Sequence, residues 1–267
     1  MSEQGKEMSF LDHLEEFRGR LVRSAIAVVA GAIVVFIAKD FVFDQIIFAP
    51  RRLDFVSFRA WCALGVWLGM GDSLCIKEIN YSLQSTTMLG QFTTHLMVSF
   101  VGGIIIAFPY IFNQLWLFVK PGLRQQEISA VRGIVFYTSL LFFAGVLFGY
   151  YGLLPLSLQF LGNYQLGDVP TISTINSYMK LMLSVTLATG LVFQLPIMVY
   201  FLTRIGLLSS NTLRKYRKHA LVAILIVAAV ITPPDLTSQI LVAIPILVLY
   251  EISIVVAKRV ERKRAAR

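Results

Sequence analysis

Three stretches of this chain run for more than twenty residues without an Asp, Glu, Lys or Arg: Leu96–Val119, Gly133–Leu154 and Leu181–Thr203. Segments of that length and polarity suit a hydrocarbon layer about 30 Å thick. There the backbone must satisfy its own hydrogen bonds, which a helix does internally. Three further segments have the same character: Ser24–Ala38, Ala220–Thr232 and Leu236–Ala257, the last with Glu251 as its one acid. Ala220–Thr232 has only 13 residues, but it lies between a basic loop and the turn Thr232-Pro233-Pro234-Asp235. Two prolines in a row cannot continue a helix, so the fifth and sixth segments read as a tight helical hairpin. The composition agrees. Charged residues make up 15% of the 267, and mean hydropathy is +0.72, against about 25% charged residues in a soluble domain. A water-soluble enzyme, a disordered chain and a fibrous repeat are thereby excluded. The expected fold is all-α, a polytopic membrane protein with six transmembrane helices in one membrane domain spanning 1–267.

Lys and Arg set the expected orientation. Residues 1–23, 120–132, 204–218 and 258–267 together carry 18 of them, and the alternate loops carry 6. The richer side is cytoplasmic, so six spans place both termini in the cytoplasm. The net charge of +9 then serves topology rather than nucleic acid. No cleavable signal peptide is expected, because acids stand where a basic n-region belongs. Residues 39–93 form a long outer loop. Its apolar patch Ala60–Met70 is too short and too Gly-interrupted to span, and reads as interfacial or packed on the bundle, with Trp61 and Trp67 at headgroup depth. Residues 258–267 form a basic cytoplasmic tail.

Residues 1–23 read as a cytoplasmic amphipathic helix. Phe10, Leu14, Phe17 and Leu21 share one face, which suits a helix at the inner interface. Glu15 and Glu16 lie on the opposite side, in a region otherwise biased to cations. Glu16 has an ordinary structural alternative as an i,i+4 pair with Arg20. Glu127, the one acid between Lys120 and Arg132, has another as a helix-start carboxylate. Two cytoplasmic carboxylates also suit a cationic ligand, since an arginine fork engages a carboxylate bidentately. Gln194 and Pro196 fall in the fourth span. The amide either bonds a carbonyl freed by the proline or contacts another membrane subunit. Glu251, near the inner end of the last span, has Lys258 or water within reach. His13, His95 and His219 are too scattered for a metal site, and no motif implies a cofactor or a catalytic constellation.

Several motifs together resemble the TatC family, the multispanning receptor subunit of the twin-arginine protein translocase. His13-Leu14-Glu15-Glu16-Phe17-Arg18-Gly19-Arg20-Leu21 is similar to its N-terminal H-L-x-E-L-R-x-R-L. Gln114 through Leu123, followed by Glu127, resembles its first cytoplasmic loop. Ala49-Pro50 resembles its first outer loop. Thr232-Pro233-Pro234-Asp235, with Ser238-Gln239 and Ala243-Ile244-Pro245, resembles its last outer turn and final span. The matches run in order from about residue 10 to 256.

The resemblance implies a non-enzymatic receptor in the bacterial inner membrane. It would bind Arg-Arg signal peptides and export folded proteins with TatA- and TatB-type single-span subunits, driven by the proton gradient. It would act as a homo-oligomer within the complex. It implies that Glu16 and Glu127 bind the signal peptide, with Glu15 at the variable position ranked below them. It gives Pro50, Pro233, Pro234 and Asp235 structural roles. Gln194 stands where many members carry a buried Glu, which favours a polar contact, with Pro196, to a small partner subunit. The stretch around residues 55–78 departs from the family pattern. It holds Cys62 and Cys75, the only cysteines. On the oxidising side of the membrane these are expected to form a disulfide, the alternative being two buried thiols. Rival readings are a small-molecule secondary transporter and a structural scaffold. The first predicts inverted repeats and midplane charges, and the sequence shows neither.

Overall fold

Apolar periodicity and helix-compatible caps turn most of the chain into long helices. The computed structural model describes residues 10–67, 69, 75, 82–120, 133–164, 172–231 and 236–265. Glu127, Pro233, Pro234 and Asp235 lie outside the described residues. In chain order the helices are α1 (Phe10–Ile37), α2 (Val56–Trp67), α3 (Gly90–Val119), α4 (Ile134–Leu147), α5 (Leu154–Asn163), α6 (Ile175–Val192), α7 (Leu195–Arg204), α8 (Ser210–Lys215), α9 (Arg217–Ile231) and α10 (Leu236–Ala265). Among the described residues, four helical stretches are long and apolar enough to cross a membrane: His13–Ile37, Gly90–Val119, Ile134–Asn163 and Ile175–Arg204. The protein is therefore a multi-pass, mostly helical membrane protein. Thr174 and Ser209 start α6 and α8 by accepting from Ser177 N and Thr212 N, at 3.2 and 3.1 Å, the usual service of a hydroxyl at an N-cap.

Among the described residues, the exception to the all-helical expectation is a pair of three-residue strands, β1 (Ser82–Gln84) and β2 (Ile172–Thr174). They run parallel, with Ser82 opposite Ile172 and Gln84 opposite Thr174. The amphipathic segment and the first span also differ from expectation. They form one uninterrupted helix, α1, rather than a surface helix followed by a span.

The chain divides into two compact units. The first comprises Met1–Ile37 and Ser99–Ser139. Here α1 runs antiparallel to the latter part of α3 at very short range. A Cβ on Gly103 would lie 2.6 Å from both Ala32 N and Val28 O, and one on Gly31 would lie 3.0 Å from Gly103 O. Lipid tails are as apolar as Leu, so helices associate in membranes through close backbone packing at small residues. Of the described side chains on α1, only Gly31 and Val35 are buried. Leu14, Phe17 and Leu21 remain exposed, as a lipid-facing stripe would be.

The second unit comprises Ala38–Val98 and Leu140–Arg267. Its core gathers Leu153, Val185, Ile224, Ala228, Ile231, Val242, Ala243 and Ile246 from α6, α9, α10 and the segment before α5. Two π-helical turns, Val42–Ile47 and Phe148–Leu153, each precede a proline. Pro50 has no N–H to offer Ile46 O, and Arg51 N turns to Phe48 O instead of Ile47 O. Two carbonyls are thus left over, that of Ile47 buried. Tyr150 donates to Ile46 O at 2.5 Å, and Tyr178 donates to Ile47 O at 2.7 Å. Orphaned backbone groups cost several kcal/mol in hydrocarbon, so Pro50 and the two tyrosines act as one set. Phe55 then packs on Tyr150 and Tyr151, with centroids 5.7 and 5.6 Å away, and this seats the start of α2. Much of the expected apolar patch is the second half of α2. Cys62 on that helix is joined to Cys75 by a disulfide, with Cα atoms 4.2 Å apart.

Two outcomes are expected. Gly103→Val forces side-chain atoms into the backbone of α1. It should destabilise the purified full-length protein by about 1–3 kcal/mol, as overpacking does, read as a lowered thermal midpoint. Gly19→Ala, on the same helix pair but with nothing within 4 Å, should be neutral or slightly stabilising. Separately, a thiol reagent should label neither Cys62 nor Cys75 in the unreduced protein and both after reduction.

Candidate functional site

The N-terminal turns of α1 lie against the C-terminal turns of α3 within the first unit. His13 stacks on Phe118 with ring centroids 4.4 Å apart, and Phe17 meets the same ring at 5.0 Å. Glu16 sits between these two anchors on α1. Arg20, one turn on, donates from Nε to Glu16 Oε1 at 2.9 Å and from Nη2 to the same oxygen. The i,i+4 pair is therefore present. Both donors converge on one oxygen, and the other, Oε2, is buried with no hydrogen-bond partner among the described residues. A buried acceptor left unsatisfied costs about 1–3 kcal/mol, and more when charged. The site thus presents an acceptor without a hydrogen-bond partner among the described residues at the end of α3, directly before the segment that carries Glu127. Glu15, the neighbouring acid, is exposed and is not brought to these rings.

Sequence reasoning named Gln114 only as the first residue of a loop motif and passed over its polarity. It lies one turn before Phe118, is only 6% exposed, and its Oε1 has no partner among the described residues. A buried amide inside an uncharged span is the signal that would have flagged it.

Gln194 falls within the span-length helical stretch Ile175–Arg204, at a break in the helix. The helix breaks at Phe193–Gln194, and Gln194 is the N-cap of α7, with Pro196 buried in its first turn. Its backbone N–H reaches Leu191 O at 3.0 Å, and its side chain donates to Gly190 O at 3.5 Å. The amide therefore serves a carbonyl at the break.

Glu251 pairs with Arg217 at 2.7 Å rather than with Lys258. Glu261 accepts from Ser210 N at 2.8 Å and from Ser210 Oγ, and Tyr250 donates to Leu213 O at 2.8 Å. Together these tie α8 and the start of α9 to α10. His13, His95 and His219 each meet a different aromatic ring. Among the described residues no group of three His, Cys, Asp or Glu could hold a metal ion.

Comparison with known proteins gives one consistent result. The family profile described as Sec-independent protein translocase protein (TatC) matches residues 12–245. The chain is similar to the Sec-independent protein translocase protein TatC of Blattabacterium sp. subsp. Periplaneta americana (strain BPLAN), 37% identical over 266 residues, which covers 99% of this chain and 100% of that one. It is similar to TatCy of Bacillus subtilis (strain 168) at 35% identity, covering 96% of this chain and 91% of that one. It also resembles a crystal structure of the twin-arginine translocase receptor TatC in DDM, with a TM-score of 0.71 and 30% identity, covering 92% of this chain and 99% of that one.

Proposed function

Because the chain belongs to the TatC family of Sec-independent protein translocase proteins, a family of translocase components rather than enzymes, we propose that it is the signal-peptide receptor of a twin-arginine translocase. In this reading it binds Arg-Arg signal peptides on the cytoplasmic side of the bacterial inner membrane. Folded cargo then crosses with TatA- and TatB-type single-span subunits, driven by the proton gradient, in a complex that holds several copies of this chain. The helices α9 and α10 complete six spans, and the 18-to-6 bias of Lys and Arg keeps both termini inside.

The observation that carries this reading is Glu16. One oxygen is engaged by Arg20 and the other is buried without a donor among the described residues. A guanidinium offers five N–H donors and fits that vacancy better than an ammonium does. Glu127 stands in the segment that continues from α3 and supplies the second carboxylate, with Glu15 in a lesser, exposed role. Gln194 and Pro196, at the break between α6 and α7, mark the face offered to a single-span partner. Pro50, Pro233, Pro234 and Asp235 shape the outer turns.

A charge-assisted hydrogen bond contributes about 1.5–3 kcal/mol. Glu127→Ala should therefore weaken binding of an Arg-Arg peptide about tenfold or more, while membrane insertion stays intact. The double variant Glu16→Ala, Glu127→Ala should lose export. Unchanged peptide affinity and unchanged export in that double variant would refute the assignment.

A further inference from the structure

The register of α1 on α3 can be read from two contacts. Residues 13 and 17 meet Phe118 at one end, and residues 28 and 32 meet Gly103 at the other. Between them, Gly103, Ala107, Gln114 and Phe118 recur at intervals of four, seven and four, so they share one face of α3. Gln114 therefore faces α1, at about the level of Gly19. That is one helical turn deeper than the ring contacts that flank Glu16.

Glu16 Oε2 and Gln114 Oε1, both in this unit, are buried and have no hydrogen-bond partner among the described residues. In a membrane-embedded helix pair such groups are expensive to leave unmade. Two of them, a turn apart along one seam, describe a site short of donors. Ammonium and guanidinium ligands differ in this respect. A guanidinium can span two acceptors with its planar fork, whereas an ammonium is a compact point charge.

We infer that Gln114 is a specificity-determining residue of the signal-peptide site, its side-chain amide accepting from an arginine of the Arg-Arg pair one turn deeper than Glu16. The inference rests on the receptor reading above. It adds a neutral acceptor to the carboxylates, and with it a reason for preferring Arg over Lys that charge alone does not give. Glu16 supplies attraction to either cation, and Gln114 supplies a second acceptor that only the longer, forked side chain reaches.

The test uses the full-length protein in detergent or nanodiscs and synthetic peptides with an Arg-Arg or a Lys-Lys pair before an apolar run. Binding is compared for the unmodified protein, Gln114→Leu, Gln114→Glu and Glu16→Gln. Gln114→Leu should weaken the Arg-Arg peptide about tenfold, the scale of one charge-assisted hydrogen bond. It should leave the weaker Lys-Lys binding unchanged, so the preference for arginine collapses. Gln114→Glu, which keeps an acceptor, should restore Arg-Arg binding. Unchanged Arg-Arg affinity in Gln114→Leu, with affinity lost in Glu16→Gln, would overturn this inference alone. Equal losses for both peptides would also overturn it, by showing that Gln114 only supports packing. Full Arg-Arg affinity in Glu16→Gln as well as in Gln114→Leu would instead overturn the receptor site itself.

Discussion

The close approach of α1 to α3 at Gly31 and Gly103 fixes the geometry of the first unit. With a Cβ at Gly103 excluded by the backbone of Val28 and Ala32, the two helices have one register. That register carries down the seam to the Phe118 ring, where His13 and Phe17 close the pair. Everything proposed for recognition depends on it. A slip of one turn would move Glu16 away from the end of α3 and take Gln114 off its level. Small residues hold a membrane seam by packing alone, so they leave the polar groups at its end uncommitted.

The second unit solves a different problem, that of non-helical backbone at membrane depth. Pro50 and its π-helical turn leave the carbonyls of Ile46 and Ile47 without main-chain donors, and Tyr150 and Tyr178 supply hydroxyls from distant helices. Polar groups committed in this way hold the structure, and those left uncommitted are available to ligands. Arg217 with Glu251, and Ser210 with Glu261, belong to the first kind. Glu16 Oε2 and Gln114 belong to the second.

Much of this was legible in the sequence. Uncharged runs of more than twenty residues leave few alternatives to helices, and Leu96–Val119, Gly133–Leu154 and Leu181–Thr203 coincide with helical stretches of the structure, apart from Gly133 itself, which stands just before its helix. The Glu16–Arg20 pair followed from i,i+4 spacing, because it is local. The π-helical turns were not legible, since hydrophobic periodicity does not report a single extra residue per turn. The partner of Glu251 was missed for a related reason. Lys258 is near in sequence, whereas Arg217 is brought near only by the packing of α9 on α10. The break at Gln194 could have been suspected from Pro196, but which carbonyl the amide serves depends on how the turn closes. The short β1–β2 pairing joins segments far apart in sequence, and three residues carry too little alternation to announce a strand.

The central claim is that an arginine pair is read at the end of the α1–α3 seam. The most direct measurement replaces His13, which stacks on Phe118, with a photoreactive phenylalanine in the full-length protein. A second protein carries the same group at Ile240, an exposed position on α10. Each is irradiated with a signal peptide bearing Arg-Arg or Lys-Lys. The account predicts a strong crosslink from position 13 to the Arg-Arg peptide, a much weaker one to the Lys-Lys peptide, and background yield from position 240. Equal yields from position 13 for the two peptides, or equal yields from positions 13 and 240, would contradict it.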